Sequence, residues 1–84
     1  MSIFIIIVMR DERLKFLGDN IRAERMRKRL SQEKLAELID VNKDSVRKIE
    51  AALQKPSAFI VYDISNVLEI SMDELFKNVP KQKE

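Results

Sequence analysis

Four charged residues near the middle of the chain, Lys43, Asp44, Arg47 and Lys48, fall at spacings of i, i+1, i+4 and i+5. On a helix that spacing gathers them on one face, while Val46, Ile49, Glu50 and Leu53 share the other. Long cationic side chains beside one carboxylate suit contact with an anionic surface that also presents hydrogen-bonding edges. Other chemistry has little to work with. The sequence contains no histidine and no cysteine, which removes the commonest general base, the commonest metal ligand, thiolate sites and disulfides. It also shows no glycine-rich phosphate loop and no clear paired-carboxylate site. An enzyme is therefore disfavoured, and neither a metal nor a cofactor is expected.

The net charge of +2 is unevenly placed. Between Arg10 and Arg29 there are eight basic and four acidic residues, whereas acidic residues exceed basic ones from Pro56 onward. A basic first half attracts phosphate at a range set by salt, although the cluster Arg22, Arg25, Arg27, Lys28 and Arg29 also reads as an ordinary solubilising helix surface. A chain of this length fits one domain that buries roughly 60–65% of its unfolded surface. The run Ile3-Phe4-Ile5-Ile6-Ile7-Val8-Met9 is too short to span a bilayer, which needs about 20 apolar residues. It also lacks the charged front and cleavage site of a signal peptide. A cytoplasmic protein with no membrane contact is the expectation.

The elements that must position the charged face follow from periodicity. Residues 3–9 are β-branched and aromatic and read as a strand. Leu14, Leu17, Ile21 and Arg25 recur at helical spacing and predict one amphipathic helix over about 11–29. Ser31 is a good N-cap for a short helix with Leu35, Ala36, Leu38 and Ile39 on its apolar face. Asp40-Val41-Asn42 then makes a turn around one buried valine, and a third helix runs over 43–53. Pro56 and Ser57 separate it from a fourth, with Val61, Ile64, Ser65 and Leu68 inward. Ser71 caps a last turn, Met72-Asp73-Glu74-Leu75-Phe76. The chain thus divides into an apolar extension (1–9), a helical domain (10–77) and a polar tail (78–84).

Two short helices joined by a tight turn form a helix-turn-helix, here centred on residues 31–53. Leu17-Gly18-Asp19-Asn20-Ile21-Arg22, Arg25 and Ser31-Gln32-Glu33-Lys34-Leu35-Ala36-Glu37-Leu38 together resemble the lambda-repressor-like (XRE, Cro/cI-type) family. Val46-Arg47-Lys48-Ile49-Glu50, Pro56-Ser57 and Ser71-Met72-Asp73-Glu74-Leu75 continue the pattern in order, so the resemblance covers about residues 16–77. It implies an all-α, five-helix DNA-binding domain, to which the short N-terminal apolar strand would be an addition. It also implies a transcriptional regulator, a repressor, binding double-stranded DNA as a homodimer. Gln32 would bond a DNA phosphate and buttress the recognition helix. Lys43, Asp44 and Lys48 match base-reading positions, with Asn42 and Arg47 beside them. Lys55, with Gln54, matches a loop that approaches the backbone, and Arg25 and Glu50 match a pair joining the first and third helices. The chain departs from the family at three glycine positions, where it has Arg29, Asp40 and the run Ala51-Ala52-Leu53. The third helix therefore either runs a turn longer or ends without glycine.

Two other classes of function stay open at this level. One is an antitoxin-like or protein-interaction module that uses the same fold to dock a protein. The other, weaker, is an enzyme. The apolar run has three readings: an edge strand that pairs two copies through Ile3, Phe4, Ile5, Ile6, Ile7 and Val8; a cover for the domain's own core; or a stretch upstream of a natural start at Met9. Phe59 and Tyr62 are a second candidate for the homodimer surface.

Overall fold

A computed structural model describes residues 11–81; the strand expected over 3–9 lies outside the described residues. Five helices and no strand are found among them: α1 Glu12–Arg27, α2 Gln32–Leu38, α3 Lys43–Glu50, α4 Ala58–Leu68 and α5 Met72–Leu75. No helix there is long and apolar enough to cross a membrane.

Each helix starts on a side-chain cap. Asp11 accepts from the Arg13 N–H at 2.9 Å, Ser31 from Lys34 at 2.9 Å and Asn42 from Ser45 at 2.8 Å. Ser57 accepts from Ile60 and Ser71 from Glu74, both at 3.1 Å. A cap of this kind is worth about 1 kcal/mol against alanine. The Asp11 carboxyl also grips the Arg13 guanidinium at 2.6 Å, and these bonds hold its pKa down at about 2.

The ends of the helices explain how a chain with a single glycine makes so many tight turns. Helices α1 to α4 all close through a left-handed residue that is not glycine: Arg29 at φ 59°, Asp40 at 57°, Ala52 at 61° and Glu69 at 57°. Each is followed by an N–H that reaches back to the last helical turn. Leu30 donates to Arg25 O at 3.1 Å, Val41 to Ala36 O at 3.0 Å, Leu53 to Lys48 O at 2.8 Å and Ile70 to Ser65 O at 3.1 Å. These are Schellman closures, usually built on glycine. An L-residue in that region is disfavoured by roughly 1–2 kcal/mol. Arg29→Gly is accordingly expected to stabilise the domain by roughly 0.5–1 kcal/mol, net of the extra freedom glycine gives the unfolded chain. A thermal melt should show this as a rise of a few degrees.

The third closure corrects the sequence reading of α3. That helix ends at Glu50 and does not continue to residue 53, because Ala52 turns left-handed and reverses the chain. Leu53, expected inward, is 52% exposed, and Ala52 is buried in its place. Leu38 is also exposed, since α2 stops there and only Leu35, Ala36 and Ile39 face the core.

The core gathers Leu17 and Ile21 of α1, Leu35, Ala36 and Ile39 from α2 and its cap, and Val46 and Ile49 of α3, together with Val61, Ile64, Leu68 and Leu75. Ser65, expected inward with them, is buried and donates its hydroxyl to Tyr62 O at 2.7 Å. Asn20 ties α1 to the end of α5, its side-chain amide donating to Leu75 O at 2.9 Å and Lys77 O at 2.7 Å.

Candidate nucleic-acid interface

Helix α3 is held by its rear face. Val46 and Ile49 anchor it in the core, and Glu50, at its last turn, is buried with only 3% of its side chain exposed. Arg25 meets that carboxylate with two donors, Nε to Oε2 at 2.6 Å and Nη2 to Oε1 at 3.0 Å. A third donor, Nη1, reaches Leu30 O at 2.7 Å, in the loop after α1. Gln32 Nε2 donates to Glu50 Oε1 at 3.0 Å. One carboxylate thereby joins α1, α2 and α3. A two-toothed guanidinium–carboxylate bond fixes orientation as well as distance, so the roll of α3 about its own axis is set.

Gly18 sets how closely α1 and α3 approach. A β-carbon there would lie 2.6 Å from Glu50 O and 2.7 Å from Ile49 O. The backbone of α1 thus rests directly against the carbonyl end of α3, which no other residue type allows at this spacing.

The opposite face of α3 points outward. Lys43, Asp44 and Arg47 are exposed and Lys48 is partly so. Asp44 accepts from Arg47 at 2.7 Å and lies 3.1 Å from Lys48 Nζ. The two hydrogen bonds, Arg47's first, push its pKa below the usual carboxylate value, so it stays ionised. These four side chains carry three positive charges and one negative, a net +2. Among the described residues Lys43 makes no ion pair. Pairs as exposed as these are worth about 0–1 kcal/mol, so Arg47 and Lys48 can exchange Asp44 for another partner at little cost.

Asn42 stands at the N-terminus of α3 with its side-chain carbonyl committed to the cap. Its amide group is left facing outward, since the residue is exposed. Between α1, α2 and α3 a recess of about 200 Å3 is lined by Arg22, Arg25, Gln32, Arg47, Glu50 and Ala51. The fold therefore brings Gln32 and Arg47 together. It also adds Arg22, which the sequence offered only as one member of a basic cluster. Lys55 is not part of this group. It lies on the rim of a separate apolar groove, with Asp11. In the remaining basic cluster Arg27 pairs with Glu24 and Lys28 with Glu69, the latter linking the ends of α1 and α4.

Comparison with known proteins agrees with this architecture. The helix-turn-helix family profile matches residues 21–75. The chain is 40% identical over 58 residues to the uncharacterized HTH-type transcriptional regulator YazB of Bacillus subtilis (strain 168), a match spanning 69% of this chain and 84% of that one. Its fold is similar to the crystal structure of the restriction-modification controller protein C.AhdI from Aeromonas hydrophila. The two superpose with a TM-score of 0.71 at 31% identity, over 74% of this chain and 94% of the other. With α2, the Asp40–Asn42 turn and α3 in the arrangement described, the chain belongs to the lambda-repressor-like (XRE) helix-turn-helix family of DNA-binding transcriptional regulators.

Proposed function

We propose that α3 enters the major groove of double-stranded DNA and reads its sequence, and that two copies of the chain do so together as a repressor. The observation that carries this reading is the two-sided build of α3. Its rear is locked to α1 and α2 through Glu50, while Lys43, Asp44, Arg47 and Lys48 face outward. A helix fixed in this way can present side chains to base edges in one register. Lysine or arginine can donate to guanine O6 and N7, and Asp44 can accept from cytosine N4, each good contact giving about 1–3 kcal/mol of discrimination. Arg22, Gln32 and the Asn42 amide, at the edge of the same surface, serve as phosphate contacts that set register. Lys55, in the loop after α3, would approach the DNA backbone and not a base edge.

Homodimerisation suits the same reading. Two recognition helices on a two-fold site sit about 34 Å apart, one turn of the duplex. Phe59 is 81% and Tyr62 55% exposed, three residues apart on the outer face of α4. Large aromatic side chains left outside in this way are typical anchors for a subunit contact. Occupancy of a two-fold operator is enough to repress, and the likeness to a restriction-modification controller protein supports a control role.

Binding to duplex DNA across a salt series tests the reading. Affinity should fall with a slope of about −0.9 per phosphate neutralised on a log–log plot. Arg22→Ala should weaken binding to every sequence alike and reduce that slope by about 1. Asp44→Asn should act in the opposite direction, raising affinity for unrelated duplex roughly threefold to tenfold at low salt, because Arg47 and Lys48 lose their internal partner. Affinity that is weak and indifferent to salt in all three proteins would contradict it.

A further inference from the structure

An apolar groove of about 560 Å3 opens on the side of the domain formed by the first turns of α1, the start of α4, α5 and the chain after it. Leu14, Leu17, Val61, Met72, Phe76 and Val79 line it, with charged residues such as Arg13 and Lys81 also on its lining. Leu17 and Val61 form a buried floor, whereas Phe76 remains 40% exposed and Met72 and Val79 are half-buried. Among the described residues, the core is thus left uncovered along this edge.

We propose that this groove is the docking site of the chain's own segment Ile3–Met9, bound within the same molecule. Three observations converge on that occupant. All seven residues of the segment are apolar, matching the groove's lining. Asp11, the first described residue, itself lines the groove, so only Arg10 separates the segment from the site. Extended, seven residues reach about 23–25 Å, ample for a groove that starts at Asp11. A tether this short holds its segment at an effective concentration of order millimolar, which an untethered partner at micromolar concentration does not match. Burial of apolar surface contributes roughly 25 cal/mol per Å2, and a wholly apolar segment left in water would be an aggregation hazard. The docked segment would complete the core that α1, α4 and α5 leave open, and it would brace Lys55 and Pro56, which lie on the same groove and lead from α3 into α4. This inference is independent of DNA reading by α3.

The absence of cysteine from the chain gives a clean test. In the full-length protein, Ile5→Cys and Ile6→Cys are each combined with Phe76→Cys in the groove, or with Leu38→Cys, an exposed residue outside it. On mild oxidation at micromolar protein, the Phe76→Cys pairs should form an intrachain disulfide at least about tenfold faster than the Leu38→Cys pairs, at a rate independent of concentration. Equal rates for the two partners would overturn the proposal. So would a product that is an interchain dimer forming faster at higher concentration, which would assign the groove to the segment of a second copy. Ile6→Asp in the otherwise unaltered chain gives a second readout. It should shift the Met72 methyl resonance and raise binding of an apolar dye; an unmoved resonance with unchanged dye binding would also overturn it.

Discussion

Glu50→Ala should lose about 3–5 kcal/mol of folding stability, because Arg25 would remain in place with its charge largely buried and its partner gone. The Arg25 side chain is 11% exposed and the Glu50 side chain 3%, so bulk water compensates the lost carboxylate only in part. A chain of this size has a total stability of roughly 4–13 kcal/mol, so the variant is expected to lose a large fraction of it. Arg25→Met should be damaging for the converse reason, with Glu50 keeping only Gln32 as a donor. The double variant Arg25→Met/Glu50→Leu separates pairing from burial. Replacing both charges with apolar groups of similar size is often neutral or better, so it should recover most of what either single change loses. Urea unfolding of the parent, Arg25→Met, Glu50→Leu and the double variant measures this coupling. Single variants within 1 kcal/mol of the parent would show that the three-helix junction does not depend on the pair.

Gly18→Ala is the second large effect expected. On propensity alone alanine would stabilise α1 by about 1 kcal/mol. Its methyl group, however, would sit 2.6 Å and 2.7 Å from the carbonyl oxygens of Glu50 and Ile49. Both are backbone atoms, so no side chain can swing aside, and overpacking of this kind costs about 1–3 kcal/mol or more. A net loss of up to about 2 kcal/mol is expected, along with a displaced C-terminal end of α3. The variant should therefore lose DNA affinity beyond what its lower stability explains when both proteins are assayed fully folded. A more stable protein with unchanged binding would show that α1 and α3 can separate without consequence.

These two positions also show which parts of the molecule could be read from sequence. The inward residues of α4 were legible because Val61, Ile64, Ser65 and Leu68 repeat at helical spacing between two clear N-cap signals, Pro56–Ser57 and Ser71. Ser31, Ser57 and Ser71 were legible as caps, since a serine just before a helical run has few other uses. Asn42 was not, because an asparagine in a turn has several uses and only the structure commits its carbonyl to Ser45. The end of α3 was illegible for a different reason. Turn-forming glycine leaves a mark in the sequence, whereas Ala52 at φ 61° looks like any helical alanine. Leu38 and Leu53 misled in the same way, for an apolar residue at a helix end carries no sign of which side of the end it falls on. Arg22 joins the recess because α1 lies close against α3, as the Gly18 contact shows, which local spacing does not encode. The apolar groove likewise depends on how α1, α4 and α5 meet, which no single segment encodes.

The central claim is that the outward face of α3 reads DNA sequence. Selection from randomised duplex DNA by the parent protein, beside the triple variant Lys43→Ala/Arg47→Ala/Lys48→Ala, tests it most directly. All three side chains lie on the face away from the core, so the variant should fold normally. The parent should enrich a two-fold sequence with half-sites about one helical turn apart, and the variant should retain residual salt-sensitive binding but enrich nothing. Selection of the same sequence by both proteins, or of none by the parent, would contradict the claim and turn attention to a protein partner for this fold.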